Sequence, residues 1–159
     1  MIKIGITGSL ASGKTTASKI LSNRRGPLFS ADEEVKKLYA NKIFKSLLSK
    51  TFRIENNNQI KNNIKKLVLK NKTKLRKLEK IIHPLVREKM RKFTFKNKNK
   101  KLLFYEIPLL IESKLMNLFD VIIFVKSKKK TRLKRFKSKK RSKILFDFLN
   151  SHQMEQKKK

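Results

Sequence analysis

Apolar residues fall along this chain in two rhythms. Short, mainly apolar runs occur at residues 2–6, at Leu28-Phe29, at 101–105 and at 121–125. Runs this short, bounded by polar or glycine residues, predict buried strands. Between them apolar positions recur every three or four residues, the spacing of one helix face. Ala17, Ile20 and Leu21 predict a first helix, and Val35, Leu38, Tyr39, Ile43, Leu47 and Leu48 a second. Ile60, Ile64, Leu67 and Val68 predict a third, and Leu75, Leu78, Ile81 and Ile82 a fourth. His83-Pro84 is expected to interrupt that last face, with Pro84 in the first turn of a new helix carrying Leu85, Val86 and Met90. Asn56 to Asn58 mark a surface turn, and Lys96 to Lys101 a solvated connection before the third strand. Strands alternating with helices predict an α/β layer fold around a parallel sheet. Ligands bind such sheets beyond the carboxyl ends of the strands. The segment from Gly8, Asp32, Glu106 and Lys126 each follow a strand, so they should gather on one rim.

The length of 159 residues is enough for one domain with a real core. There is no cysteine, which excludes disulfides and thiolate metal sites and fits a reducing compartment. The chain opens directly into its first strand, so no signal peptide is expected, and the apolar runs are too short to cross a bilayer. The expectation is a cytoplasmic protein with no membrane partner. The net charge of +33, from 44 Lys and Arg against 11 Asp and Glu, points to polyanionic ligands. Lys, Asn and Ile are abundant together, as in Lys96-Asn97-Lys98-Asn99-Lys100-Lys101, a bias that an A/T-rich genome produces whatever a protein does. Nonspecific nucleic-acid binding and affinity for phosphorylated small molecules both fit that charge.

The stretch Gly8-Ser9-Leu10-Ala11-Ser12-Gly13-Lys14-Thr15 has the pattern G-x-x-x-x-G-K-[ST] of a phosphate loop. Its glycines let successive backbone N–H groups converge on one anion, and a helix starting near Gly13 adds the positive end of its dipole. Lys14 suits the β- and γ-phosphates of a nucleoside triphosphate, and the Thr15 hydroxyl suits Mg²⁺. A strand before the loop and a helix after it complete the required context.

Phosphoryl transfer also needs an oriented acceptor and balanced charge. Asp32, just after the second strand, suits a general base or a place in the metal shell, and equally a helix N-cap. Glu106-Ile107-Pro108-Leu109-Leu110-Ile111-Glu112 closes the third strand with two carboxylates flanking an apolar turn. Glu106 could stand behind the metal and Glu112 could orient substrate, or both could cap a surface helix. His83 and Arg87, one helical turn apart, suit a phosphate or ribose contact, although a histidine beside proline is also a common cap. Arg132 and Arg135 fall on one face of a basic helix after the fourth strand, as a clamp on polyphosphate requires, or as a solvated basic helix would show.

In chain order these segments resemble the dephospho-coenzyme A kinase family. "ITGSLASGKTT" resembles its phosphate loop, "SADEEV" its Asp-Ala-Asp segment, "LEKIIHPLVR" its His-Pro segment and "EIPLLIES" its Pro-Leu-Leu-x-Glu segment. "FDVIIFV" followed by "RLKRF" resembles its fourth strand and lid entry, and "HQM" around Gln153 the end of its lid helix. The resemblance implies a three-layer α/β phosphate-loop kinase fold in a single domain spanning residues 1–159. Its core would span about residues 1–34 and 100–126, a helical coenzyme A-binding region about 35–99, and a lid about 130–153. It implies transfer of the ATP γ-phosphate to the 3′-hydroxyl of dephospho-coenzyme A, with ATP and Mg²⁺ as cofactors. On that resemblance Asp32, Lys14, Arg132 and Arg135 are catalytic. Gly8, Ser9, Leu10, Ala11, Ser12, Gly13, Lys14, Thr15 and Thr16 hold ATP, with Thr15 on the metal. Asp32, His83, Arg87, Pro108, Leu109, Leu110 and Glu112 hold the acceptor. Ser30 stands where the family usually has its first Asp, and Ser9 and Ala11 replace common loop glycines. The family continues past the Gln156-Lys157-Lys158-Lys159 stretch with a further strand and a C-terminal helix, so the 121–125 strand is expected to form an open edge here. Two alternatives share part of the pattern. One is another phosphate-loop kinase of nucleotides or small metabolites, which leaves the His-Pro and Pro-Leu-Leu-x-Glu segments unexplained. The other is a basic nucleic-acid-binding protein with a vestigial nucleotide site. Oligomeric state is not legible.

Overall fold

In the computed structural model, which describes residues 1–151 and 153, four strands form one parallel sheet. They are β1 (Ile2–Gly8), β2 (Leu28–Ser30), β3 (Leu102–Glu106) and β4 (Val121–Val125), in the order β2-β3-β1-β4. Each lies where an apolar run predicts it. β1 extends through Thr7 and Gly8 because these pair with Phe124 and Val125 of β4. The register sets Ile6 opposite Glu106 and Ser30 opposite Glu106, so Gly8, Ser30, Glu106 and Val125 end their strands on one rim. β4 pairs with β1 alone among the described residues, and its Val121 and Ile122 are exposed. No helix of the described chain is long and apolar enough to cross a membrane.

The chain forms two compact units. The first joins Met1–Ala31 to the chain from Phe93 onward, and the second is Asp32–Lys92. In the first unit the core is built on Ile6, Phe29, Leu103, Phe104 and Tyr105. The Tyr105 ring meets Phe29, Phe93 and Phe119 at centroid distances of 6.1, 5.4 and 5.3 Å. Its hydroxyl lies 2.8 Å from Thr94 Oγ1. Burial pushes the phenol above its ordinary range, and the Thr94 bond opposes that shift.

Helix α1 (Lys14–Ser22) departs from the expected face. Its buried residues are Ser18 and Ser22, while Ile20 is 64% exposed. The helix packs on β3 and β1, and small residues on the inner face let its backbone lie close to the sheet. A larger apolar residue there would hold the helix off.

The second unit carries most of α2 (Ala31–Ala40) and α5 (Lys72–Lys96), with α3 (Lys42–Phe52) and α4 (Ile60–Lys70) between them. Its core is Phe44, Leu48, Phe52, Ile60, Ile64, Val68 and Leu78, with Leu75, Ile81, Ile82 and Leu85 packed against it. The residues from Val35 to Leu48 do not form one helical face. Asn41 breaks the helix, and its side-chain oxygen accepts from the Phe44 amide at 3.1 Å as the N-cap of α3. The new helix starts in a new phase, so Phe44, Leu48 and Phe52 point inward and Ile43 and Leu47 are exposed. Nor does His83-Pro84 end a helix: α5 runs unbroken through Pro84. An interior proline costs about 3 kcal/mol or more. Burial of one large aliphatic side chain returns about 1.5–3 kcal/mol, and Leu78, Ile81, Ile82 and Leu85 flank Pro84 in the packed cluster. The expected restart is therefore overridden by packing on both sides of the ring.

The first unit continues with α6 (Lys129–Lys137) and α7 (Lys143–Ser151). They meet through Phe136 and Phe146, both fully buried, with ring centroids 5.5 Å apart.

The shifted face of α3 gives a stability test. Leu48→Ala should cost about 2–5 kcal/mol in urea unfolding followed by circular dichroism. Ile43→Ala should stay within about 0.5 kcal/mol of the parent. Comparable losses at the two positions would contradict this register.

Candidate functional site

The rim of the sheet is shaped first by glycine. Gly8 ends β1 with φ +155°, and a Cβ there would lie 2.5 Å from the Val125 carbonyl oxygen and 2.9 Å from Ser12 Oγ. Gly13 takes φ +102° at the N-cap of α1, a left-handed conformation. The two glycines of the motif thus serve different needs, close approach to a neighbouring strand and a left-handed turn into the helix. Ala11, where a glycine is common in the resembled family, also sits in the left-handed region at φ 57°.

Cations converge on the carbonyl side of this loop. Lys14 Nζ donates to Gly8 O at 3.0 Å and to Ser9 O at 3.1 Å. Arg135 Nη1 donates to Ser12 O at 2.9 Å. Arg132 Nη1 donates to Leu10 O at 3.3 Å and to Asn150 Oδ1 at 2.8 Å. The Leu10 amide in turn donates to Gln153 Oε1 at 2.8 Å. Arg132 is 4% exposed, so burial lowers its pKa from the ordinary guanidinium value. Arg132 is thus withdrawn from solvent, while Arg135 and the lysines of α6 around it are exposed. Ser12 Oγ and Arg132 Nε are buried without a hydrogen-bond partner among the described residues, two polar atoms suited to a polyanion at the loop.

A carboxylate lies at the end of β3. Glu106 is 1% exposed; its Oε1 accepts from Thr15 Oγ1 at 2.6 Å and its Oε2 from Ser30 Oγ at 3.2 Å. No group of three or more His, Cys, Asp or Glu among the described residues is placed to hold a metal ion. One carboxylate and one hydroxyl nevertheless fit Mg²⁺, which keeps most of its shell as water and substrate phosphate. Thr16 is exposed on α1.

The segment after β3 is a turn rather than a surface helix. Ser113 N donates to Leu109 O at 2.9 Å and Leu115 N to Leu110 O at 3.0 Å. Thr7 Oγ1 donates to Pro108 O at 3.2 Å, which ties the turn to β1. Leu110 is fully buried, its Cδ1 2.7 Å from where a Cβ on Gly5 would stand. Its side chain therefore fills the core under β1 instead of facing a ligand. Pro108, Leu109 and Glu112 are only partly buried.

In the first unit the structure brings together Gly8 to Thr15, Glu106, Arg132 and Arg135. Asp32, His83 and Arg87 belong to the second. Asp32 is exposed and lies one residue inside α2, which starts at Ala31, so it is not the N-cap. With Glu33 and Glu34 it places negative charge in the first turn, where the helix dipole favours it. His83 and Arg87 lie one turn apart on the continuous α5, with Arg87 exposed. Sequence reasoning left the Ser30 bond to Glu106 and the role of Asn150 unread. Position after a strand flags Glu106, but nothing local marks Asn150. Of the His-Gln-Met segment, His152 and Met154 lie outside the described residues.

Comparison with known proteins agrees with this geometry. The family model for dephospho-CoA kinase, CoaE, matches residues 2–159. The dephospho-CoA kinase of Bartonella quintana (strain Toulouse) is 38% identical over 165 residues, covering 98% of this chain and 83% of that protein. Among solved structures, TT1252 from Thermus thermophilus superposes with a TM-score of 0.81 at 24% identity, over 99% of this chain and 82% of that one. Deoxyadenosine kinase from M. mycoides with bound dATP superposes with a TM-score of 0.51 at 20% identity, over 95% and 81%. These two likenesses show the fold.

The close approach at Gly8 is directly testable. Gly8→Ala forces either β4 or the loop to move, and should weaken ATP binding at least about tenfold in titration calorimetry, a loss of roughly 1.4 kcal/mol. Unchanged affinity would mean that the Gly8–Val125 contact does not shape the loop.

Proposed function

The chain belongs to the dephospho-CoA kinase family, and from that premise we propose that it transfers the γ-phosphate of ATP to the 3′-hydroxyl of dephospho-CoA. The products are CoA and ADP, the final step of coenzyme A biosynthesis. The observation that carries this reading is the convergence of Lys14, Arg132 and Arg135 on the Gly8–Ser12 loop, with Thr15 bonded to Glu106 beside it.

In this mechanism the loop amides and the α1 N-terminus bind the ATP phosphates. Lys14 leaves its bonds to Gly8 O and Ser9 O for the β- and γ-phosphates. Arg132 and Arg135 neutralise charge spread over the transferring group, with α6 and α7 acting as a lid. Thr15 and Glu106 would hold Mg²⁺, which would supply charge neutralisation to the bound phosphates.

Asp32 is assigned as the general base. Its carboxylate accepts the proton of the acceptor hydroxyl as that oxygen forms its bond to the γ-phosphorus and ADP departs. Exposure at the head of α2, two residues past the end of β2, supports the assignment. On the acceptor side the candidates are His83, Arg87, Pro108, Leu109 and Glu112. His83 and Arg87 suit phosphate or ribose oxygens.

An ADP-release assay tests this reading. ADP release should depend on dephospho-CoA and not on nucleoside monophosphates; stimulation by the monophosphates alone would reject it. Asp32→Asn should lower kcat by about 10²–10⁴-fold, with the Kd for ATP little changed. Lys14→Ala should reduce kcat/KM for ATP by about 10²–10³-fold. Parent-like turnover in Asp32→Asn would return that residue to a helix-terminal role.

A further inference from the structure

α7 holds two residues four positions apart, Phe146 and Asn150, which the helix places on one face. Both grip the same guanidinium. Arg132 lies over the Phe146 ring at 5.6 Å, and its Nη1 donates to Asn150 Oδ1 at 2.8 Å. The same Nη1 reaches Leu10 O at 3.3 Å. The contacts close into a ring: Leu10 N donates to Gln153 Oε1 at 2.8 Å, and Gln153 N donates to Asn150 O at 3.3 Å. Both the amide and the carbonyl of Leu10, in the middle of the phosphate loop, are thereby tied to residues on α6 and at the end of α7.

Every partner of Arg132 in this ring is neutral. Among the described residues this buried guanidinium is bonded only to carbonyl and amide oxygens, and a nearby polyanion would supply its countercharge. Its direction must then be fixed by groups that do not cancel its charge. An amide oxygen does this where a carboxylate would compete with the ligand. Asn150 supplies that oxygen, and Phe146 supplies an apolar face that limits the other degrees of freedom.

We propose that Asn150 is a positioning residue that acts through Arg132, aiming a buried guanidinium at the phosphates bound by the loop. The inference rests on reading the loop as the ATP site. It adds a residue whose identity, an uncharged acceptor, sets how strongly Arg132 serves the nucleotide.

A double-mutant cycle on the full chain tests it. KM for ATP and kcat come from ADP release, the Kd from titration of a fluorescent ATP analogue, and folding from thermal unfolding. Asn150→Leu, similar in size but without an acceptor, should raise the Kd and KM for ATP about tenfold, the effect of one lost hydrogen bond to a charged group. kcat should fall as well, because Arg132 also meets the transferring group, while the unfolding midpoint should hold within about 4 °C. In an Arg132→Ala background, Asn150→Leu should add nothing further. Multiplying losses would show that Asn150 does not work through Arg132 and would overturn the proposal. A lowered unfolding midpoint with unchanged Kd for the analogue would reduce Asn150 to a structural role and overturn it too. The binding arm uses no acceptor. Failure of dephospho-CoA to stimulate the parent chain would sink the acceptor assignment alone.

Discussion

A carboxylate buried at the end of β3 organises the rim on which everything else is built. Glu106 is almost inaccessible, yet it is bonded by one hydroxyl from α1 and another from β2. A buried carboxylate left without donors would cost several kcal/mol. Those two bonds therefore constrain where α1 starts and where β2 ends. The loop between β1 and α1 must be short enough for Thr15 to reach Oε1, and Gly8 and Gly13 supply the two backbone turns that allow it. At position 30 the serine hydroxyl donates to Glu106 Oε2 at 3.2 Å and supplies one of these two bonds.

The loop's cations show a related economy of charge. Lys14, Arg132 and Arg135 are each bonded to backbone carbonyls of the loop. Hydrogen bonds to neutral oxygens satisfy donors without neutralising charge. For Arg132 and Arg135 the described contacts thus hold the geometry in place and leave the positive potential available. Ion pairs would have fixed the same side chains more strongly and cancelled their field. Among the described residues the ion pairs Lys36–Glu33, Lys37–Glu34 and Lys92–Glu88 are helix-surface pairs on α2 and α5, away from the loop.

The strands were legible because buried parallel strands are apolar on both faces, so composition alone locates them. The loop was legible because its chemistry demands particular residues at fixed spacing. Helix faces were less so, for reasons that differ by residue. Ser18 and Ser22 face inward because close packing on a sheet rewards small size, a property that a hydrophobicity pattern cannot register. Ile43 and Leu47 point outward because Asn41 restarts the helix in a new phase, and a capping bond is invisible to periodicity. Pro84 stays inside α5 because tertiary packing outweighs a local penalty. Leu110 belongs to a motif stretch read as acceptor-facing, but its side chain completes the core beneath Gly5. Asn150 carries no local signal at all: its meaning depends on Arg132, eighteen positions away in the chain.

Charge and geometry divide the work between attraction and selection. A net charge of +33 draws any polyanion toward the surface. At physiological ionic strength that attraction decays over about 8 Å, so it cannot distinguish a triphosphate from a nucleic-acid backbone once either is near. Discrimination must come from groups whose positions are fixed to within a hydrogen bond. Those are the loop amides, held by Gly8 and Gly13, and Arg132, held between Phe146, Asn150 and Leu10. The exposed lysines therefore add to attraction and not to that discrimination. Salt should weaken encounter far more than it weakens the contacts made by a buried guanidinium, because screening acts on exposed charge and little on charge removed from water.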